Sequence, residues 1–242
     1  MIEDSELRQQ AFDVLHDLSL FHRLEAEVLH AMLAECTPVE WNKADTIDYR
    51  TGTQHCYIII SGRLKVTQVD PNTGRSIALF LLQAGDIYDL FSLLDEKEHI
   101  SFPIALDPIT TLRIPVKRMR EWMCEYPTFN AMFLPYLGEK MRELESFSES
   151  IIFHDTLTRI SNLILKHVLP KEAMKEEEHC YPVRLINNLS HESISELIGS
   201  VRSVVSTQMH KLKEEEIIIS KRGHLAVKNL EKLMKKSDLF TS

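Results

Sequence analysis

Glycine is scarce in this 242-residue chain, seven in all. Cysteine is scarcer still. Cys36, Cys56, Cys124 and Cys180 are scattered and form no C-x-x-C pair, so no thiol has a resolving partner nearby and all four read as core fillers or bystanders. No run approaches about 18 apolar residues, the length a membrane span requires. Residues 1–10 are acidic and polar, without the basic start and apolar stretch of a secretory leader. The expected compartment is therefore the cytoplasm, away from membranes. Positive charge is also in short supply: 28 Lys+Arg stand against 36 Asp+Glu, a net charge of -8. At first sight that argues against a nucleic-acid binder, which usually carries a basic footprint.

What is present is an ordinary globular composition, 44% hydrophobic and 26% charged, long enough for one large domain or two. Disorder, collagen and coiled-coil fibre are excluded. From Val39 to about Pro115 short β-rich runs alternate with turn signals. Tyr57-Ile58-Ile59-Ile60 ends at Ser61-Gly62, Leu64 to Val69 alternates apolar and polar, and Asp70-Pro71-Asn72-Thr73-Gly74 is a turn. A further strand from Ile77 to Leu82 closes at Ala84-Gly85-Asp86. Such spacing predicts a sandwich or barrel, preceded by a helical segment from Leu7 to Cys36.

After Pro127 the period changes from two to about three and a half. Leu134, Leu137, Met141, Leu144, Ser148 and Ile151 form an a/d seam between charged residues. One stripe of an ordinary core helix would give the same spacing, but so narrow a seam after a complete β unit suits a dimer interface better. Pro135 either starts this helix or kinks it. Phe153-His154-Asp155 breaks the pattern and reads as a hinge, with Asp155 capping a helix that carries Leu157, Ile160, Ile164 and Val168 on one face. Pro170 stops that helix, residues 171–179 read as a charged loop, and Tyr181 to Ile186 as a short strand.

From Leu189 the signals tighten. Ser190 caps a helix through Ile194, Leu197 and Ile198, Gly199 ends it, and Ser200 caps a second with Val201, Val204, Val205, Met209 and Leu212 as apolar positions. Two short helices joined at a glycine, followed by a hairpin with Ser220-Lys221-Arg222-Gly223-His224 at its tip, predict a winged helix-turn-helix. Arg202, Ser203, Ser206, Thr207 and His210 face away from the valines. Arginine can pair with guanine, and hydroxyls with bases or phosphates, while Lys221 and Arg222 can neutralise phosphates. The neighbouring Glu214-Glu215-Glu216 run must then point away from the duplex.

Three stretches together carry a family resemblance: Tyr57 to Val66, Leu82-Gln83-Ala84-Gly85-Asp86-Ile87, and Leu189-Ser190-His191-Glu192-Ser193-Ile194-Ser195-Glu196-Leu197-Ile198-Gly199 with Arg202. Over nearly its whole length the sequence resembles the Crp/Fnr family of bacterial transcription regulators. The resemblance implies an α+β fold: a cyclic-nucleotide-binding-type β-roll with N-terminal helices over residues 1–126, a dimerisation helix and hinge over 127–153, and a winged helix-turn-helix over 154–242. It implies a homodimer on palindromic double-stranded DNA, with RNA polymerase as a further partner and Ser190, His191 and Ser200 beside the DNA face. Within the family, Phe153-His154-Asp155 and the stretch from Leu197 to Thr207 are similar to the carbon-monoxide-sensing regulator CooA.

The departures matter as much. The positions that supply a ribose-binding Glu and a phosphate-binding Arg in cyclic-AMP-binding members are Leu90 and Ile100, and the haem-ligand positions are Asp89 and Phe91. Cys36 stands alone where an iron–sulfur member has a cysteine cluster. No cyclic AMP, haem or iron–sulfur signature is retained. What the resemblance leaves is a pocket edged by Asp89, Phe91, Ile100, Phe102, Gly138, Met141 and Arg142, either holding an unfamiliar, partly apolar effector or plugged by its own side chains. A recognition helix reading a TGTGA-type half-site would present Arg, Glu and Arg; here Arg202 keeps the first, and Ser203 and Thr207 replace the others. A cupin-like metalloenzyme is disfavoured because His55 stands alone without a His-x-His, and a ligand-binding dimer without DNA would have no use for a wing.

The charge divides unevenly. Residues 183–242 hold ten basic and seven acidic residues, +3, leaving eighteen basic and twenty-nine acidic, −11, in the first 182. The acidity belongs to the sensor and dimer parts, and its distribution permits DNA binding.

Overall fold

The computed structural model describes residues 4–18, 20–46, 54–169, 180–221 and 224–238. The chain divides into two compact units, one of residues 1–75 and 79–143, the other of 144–242 with 76–78. The division falls inside the longest helix, after Glu143.

In the first unit, helices α1 (Asp4–His16) and α2 (Ala26–Ala34) precede strands β1 (Thr37–Trp41), β2 (His55–Ser61), β3 (Leu64–Val69), β4 (Ser76–Leu82) and β5 (Ile87–Tyr88). A short helix, α3 (Leu90–Asp95), leads to β6 (Phe102–Ala105) and β7 (Ile109–Pro115), then to α4 (Val116–Glu125) and α5 (Pro127–Phe153). The strands form two sheets, ordered β1-β7-β2-β5 and β4-β3-β6.

The apolar run of β2 is explained by burial on both faces. Cys56, Ile58 and Ile60 enter one core with Leu15, Leu29, Trp122 and Phe129 of the helices and Phe21 from the turn between α1 and α2. Tyr57 and Ile59 enter a second core inside the roll, with Leu64, Val66, Leu82 and Tyr88. A strand covered on both sides reads as continuous apolar sequence instead of alternation. Gly85 takes φ +90, a conformation that L side chains rarely adopt, and a Cβ there would also press on the end of the Leu18 side chain.

Helix α5 runs through Pro135 and buries Phe129, Met132, Phe133, Tyr136 and Lys140. The expected seam lies on other faces of the helix. Leu134 is 58% exposed and Met141 64%, Ser148 is exposed, and Leu137, Leu144 and Ile151 are half-buried. The stripe is therefore not part of the core of its own chain.

The second unit contains α6 (Thr156–Lys166), β8 (Tyr181–Pro182), α7 (His191–Leu197), α8 (Arg202–Glu214), β9 (Ile218–Lys221), β10 (His224–Val227) and α9 (Leu230–Met234). Its sheet is ordered β8-β10-β9. Asp155 caps α6 as expected, accepting the Thr158 amide at 2.8 Å. Ile160 and Ile164 are buried on the face it presents, whereas Leu157 is half-buried and Val168 lies beyond the helix. The strand expected over 181–186 is shorter, because β10 pairs only with Tyr181 and Pro182; Leu185 and Ile186 are buried without joining the strand. The expected stop at Pro170 and the charged loop 171–179 lie outside the described residues. Among the described residues no helix is long and apolar enough to cross a membrane.

Candidate nucleic-acid interface and effector pocket

The helix-turn-helix is built as its residues require. Ser190 accepts the Ser193 amide at 3.0 Å and caps α7, with Glu192 in the first turn, where the helix dipole favours a carboxylate. Gly199 takes φ +60 in the turn, and a Cβ there would fall 2.9 Å from Ile151 Cδ1. Arg159, not singled out from sequence, braces the same turn: it donates to the carbonyls of Ile198 at 2.8 Å, Gly199 at 3.1 Å and His154 at 3.1 Å. Ile198 and Gly199 are about forty residues away in sequence, and no local pattern announces them.

Two expectations for α8 are corrected. Ser200 does not cap the helix; Val201 occupies the cap position without a side-chain bond, and the Ser200 hydroxyl lies 3.3 Å from that of Thr156. The apolar set is also smaller than expected. Val205, Met209 and Leu212 are buried, but Val201 is 42% exposed and Val204 38%. Three residues spaced four and three apart already fill the buried stripe, so the two other valines fall outside it.

Arg202, Ser203, Ser206, Thr207 and His210 are all exposed on α8. Thr207 donates its hydroxyl to the Ser203 carbonyl at 3.1 Å, and His210 lies 3.2 Å from Glu214. His191 is half-buried at the start of α7. The glutamate run is partly neutralised: Lys236 at 2.7 Å holds the Glu215 carboxyl below its usual range, and Lys228 at 2.9 Å does so for Glu216. The wing is the β9–β10 hairpin, with Leu225 facing Ser220 and Val227 facing Ile218. Asn187 accepts the Leu225 amide at 2.8 Å and fixes β10. Arg222 and the Lys221 side chain lie outside the described residues. At the expected hinge, α5 ends at Phe153, which is exposed, and His154 Nε2 lies 2.7 Å from Asp238.

The roll holds a cleft of about 320 Å³, counting its part open to solvent. Val66, Phe80, Leu82, Ile87, Tyr88, Asp89, Leu90, Phe91, His99 and Lys140 line it. Asp89 and Phe91, named from sequence, are among these lining residues. Ile100, Phe102, Gly138, Met141 and Arg142 are not on its walls, and Ile100, Phe102 and Met141 are exposed. Lys140, on the buried side of α5, was missed because a lone lysine among charged neighbours looks like a solvated residue. Its ammonium sits 2.8 Å from Asp86 and 3.4 Å from Glu143. Burial alone would push its pKa down, but the two carboxylates outweigh this and hold it above its ordinary value. Tyr136 completes the network, donating to Asp86 at 3.2 Å and accepting the Ile87 amide at 3.0 Å. Asp89 adopts φ 66 and caps α3, its Oδ1 lying 3.5 Å from His99 Nδ1 while its buried Oδ2 has no partner. Among the described residues no three metal-ligating side chains converge. Burial raises the Cys36 thiol to about 12 and pushes Cys56 up as well, keeping both unreactive.

A β-roll followed in one chain by a winged helix-turn-helix is the fold of a DNA-binding transcription regulator. Residues 40–126 match the cyclic nucleotide-binding domain and residues 158–236 the Crp-like helix-turn-helix domain. The chain belongs to the Crp/Fnr family of transcription regulators, which are not enzymes. It is 22% identical to a CRP-like cAMP-activated global transcriptional regulator of Mycobacterium tuberculosis, over 88% of this chain and 97% of the other. It is 24% identical to a global nitrogen regulator of Synechococcus elongatus, over 73% and 78%. A CooA variant from Carboxydothermus hydrogenoformans has a similar fold, with a TM-score of 0.69, 20% identity and 85% and 89% coverage.

Proposed function

We propose that this chain is a homodimeric transcription regulator that binds a two-fold-symmetric DNA site and is gated by a small effector held in the cleft of the β-roll. The observation that carries the dimer is the unburied apolar stripe on α5, where Leu134 and Met141 face out at a/d spacing beside half-buried Leu137 and Leu144. Two copies paired along that stripe would present their α8 helices to successive major grooves, about 34 Å apart. Arg202 reads guanine, Lys221 and Arg222 contact phosphates, and RNA polymerase is a partner on the promoter. Effector binding would shift an existing equilibrium between two arrangements of the hinge around Phe153, His154 and Asp155.

The effector is not a cyclic nucleotide. A cyclic phosphate needs an unspent cation, and Lys140, the lysine on the cleft wall, is already shared by Asp86 and Glu143. The Asp89 carboxylate beside it would oppose an anion. The apolar walls suit a partly apolar ligand that offers a hydrogen-bond donor to Asp89. A second reading, a cleft plugged by its own side chains and a ligand-independent regulator, draws support from the same closed Lys140–Asp86–Tyr136 network. Retardation of its own promoter fragment, with and without the small-molecule fraction of a cell extract, separates the two: a shift that needs the fraction supports gating, and one that does not supports the plugged cleft. Arg202→Ala should lose about 1–3 kcal/mol at one base position. An equal loss on all sequences would make Arg202 a phosphate contact instead.

A further inference from the structure

We infer that Val204, with the methyl of Thr207 beside it, reads the 5-methyl group of a thymine in the DNA half-site. The inference rests on the DNA-binding reading and adds the base that α8 selects besides any guanine at Arg202. Three observations converge on it. Val204 is 38% exposed in the first turn of α8, although its residue type would favour burial and the buried stripe of the helix is complete without it. Thr207, one turn on and on the same side, spends its hydroxyl hydrogen on the Ser203 carbonyl at 3.1 Å. Its methyl group and one acceptor are what remain to offer a base. Of the polar residues on this flank, Ser203 is short, His210 is engaged by Glu214, Gln208 is half-buried, and Lys211 is exposed two turns on.

In the major groove, thymine differs from the other bases by its C5 methyl group, which apolar side chains contact. The first turns of a recognition helix are the part that reaches base edges. Exposed valine methyls there have nothing to bond in a G·C pair and would leave its polar edge unsatisfied. Valine is stiff at χ1, so little side-chain entropy is lost when it is fixed against a base. Val201, 42% exposed at the cap position, extends the same apolar patch.

The test uses the full-length protein. Binding sites are first enriched from a random duplex pool. Each thymidine of the enriched half-site is then replaced singly by deoxyuridine, which removes the methyl and nothing else, and affinity is read by fluorescence anisotropy at fixed salt. At one thymidine or more, the wild-type protein should lose about three- to fivefold, the effect of one buried methyl. Val204→Ser should bind the thymidine and deoxyuridine duplexes equally. Thr207→Ser, which keeps the hydroxyl bonded to Ser203, should reduce the difference. Indifference of the wild-type protein at every position would overturn the inference, as would an undiminished difference in both variants. The pool is selected with the small-molecule fraction of a cell extract present, so that a pool yielding no enriched sequence would overturn the DNA-binding reading itself, and the inference with it.

Discussion

Lys140 carries an ammonium at 8% exposure, and it is tolerated there because Asp86 at 2.8 Å, with Tyr136 on the same carboxylate, replaces the water it gave up. The pair has a definite pH signature. A lysine held above its unfolded pKa contributes fully below about 10.4 and loses that contribution as pH rises through the higher folded value. The ion pair is therefore intact across the neutral range. Lys140→Met keeps much of the side-chain volume and strands the Asp86 charge, which should cost about 3–5 kcal/mol. Trp41 and Trp122 both lie in the first unit, so urea unfolding followed by tryptophan fluorescence reports it. Adding Asp86→Asn to Lys140→Met should restore part of the loss, and no restoration would show that the lysine acts by packing alone. Nothing in the local sequence distinguishes Lys140 from Glu139 or Arg142; only the burial of Phe133 and Tyr136 on the same face puts it inside.

Whole elements were more legible than single contacts. The β2 run, the turn at Asp70 to Gly74, the cap at Asp155 and the helix–glycine–helix segment follow from patterns within a few residues of one another. Where boundaries slipped, the deciding partner was remote: β8 is limited by the two residues of β10 it can pair with, and the α8 cap moved from Ser200 to Val201 because Ser200 turns toward Thr156. The exposed valines of α8 could not be foreseen, since an apolar residue at the edge of a helical stripe is equally compatible with either side. The Asp155 cap gives a prediction at this scale. The Thr158 amide holds the Asp155 carboxyl below its ordinary value. Its stabilisation is complete above the unfolded pKa, about 3.9, and is lost as pH falls through the lower folded value. Asp155→Ala should cost about 1 kcal/mol near neutrality. Asp155→Asn should keep most of the cap but remove its share of the acid sensitivity, as thermal melts between about pH 5 and pH 2, spanning that range, would show.

For the molecule as a whole, the chain's acidity and its DNA-binding role are reconciled by where the charges lie: +3 over residues 183–242, within which Lys236 and Lys228 quench Glu215 and Glu216, and −11 before them. The change of period after Pro127 marks where the β segment and α4 give way to the long helix α5. The cleft was less visible. Asp89 and Phe91 are on its walls, but His99 and Lys140 reach it through loop and helix geometry that no repeat encodes. The central claim, a dimer reading a two-fold site, is tested most directly by the mass of the protein–DNA complex. Sedimentation of the full-length chain on an enriched duplex should give two chains per duplex, with inverted half-sites whose centres are about 10 base pairs apart. One chain per duplex, or a site without two-fold symmetry, would contradict it.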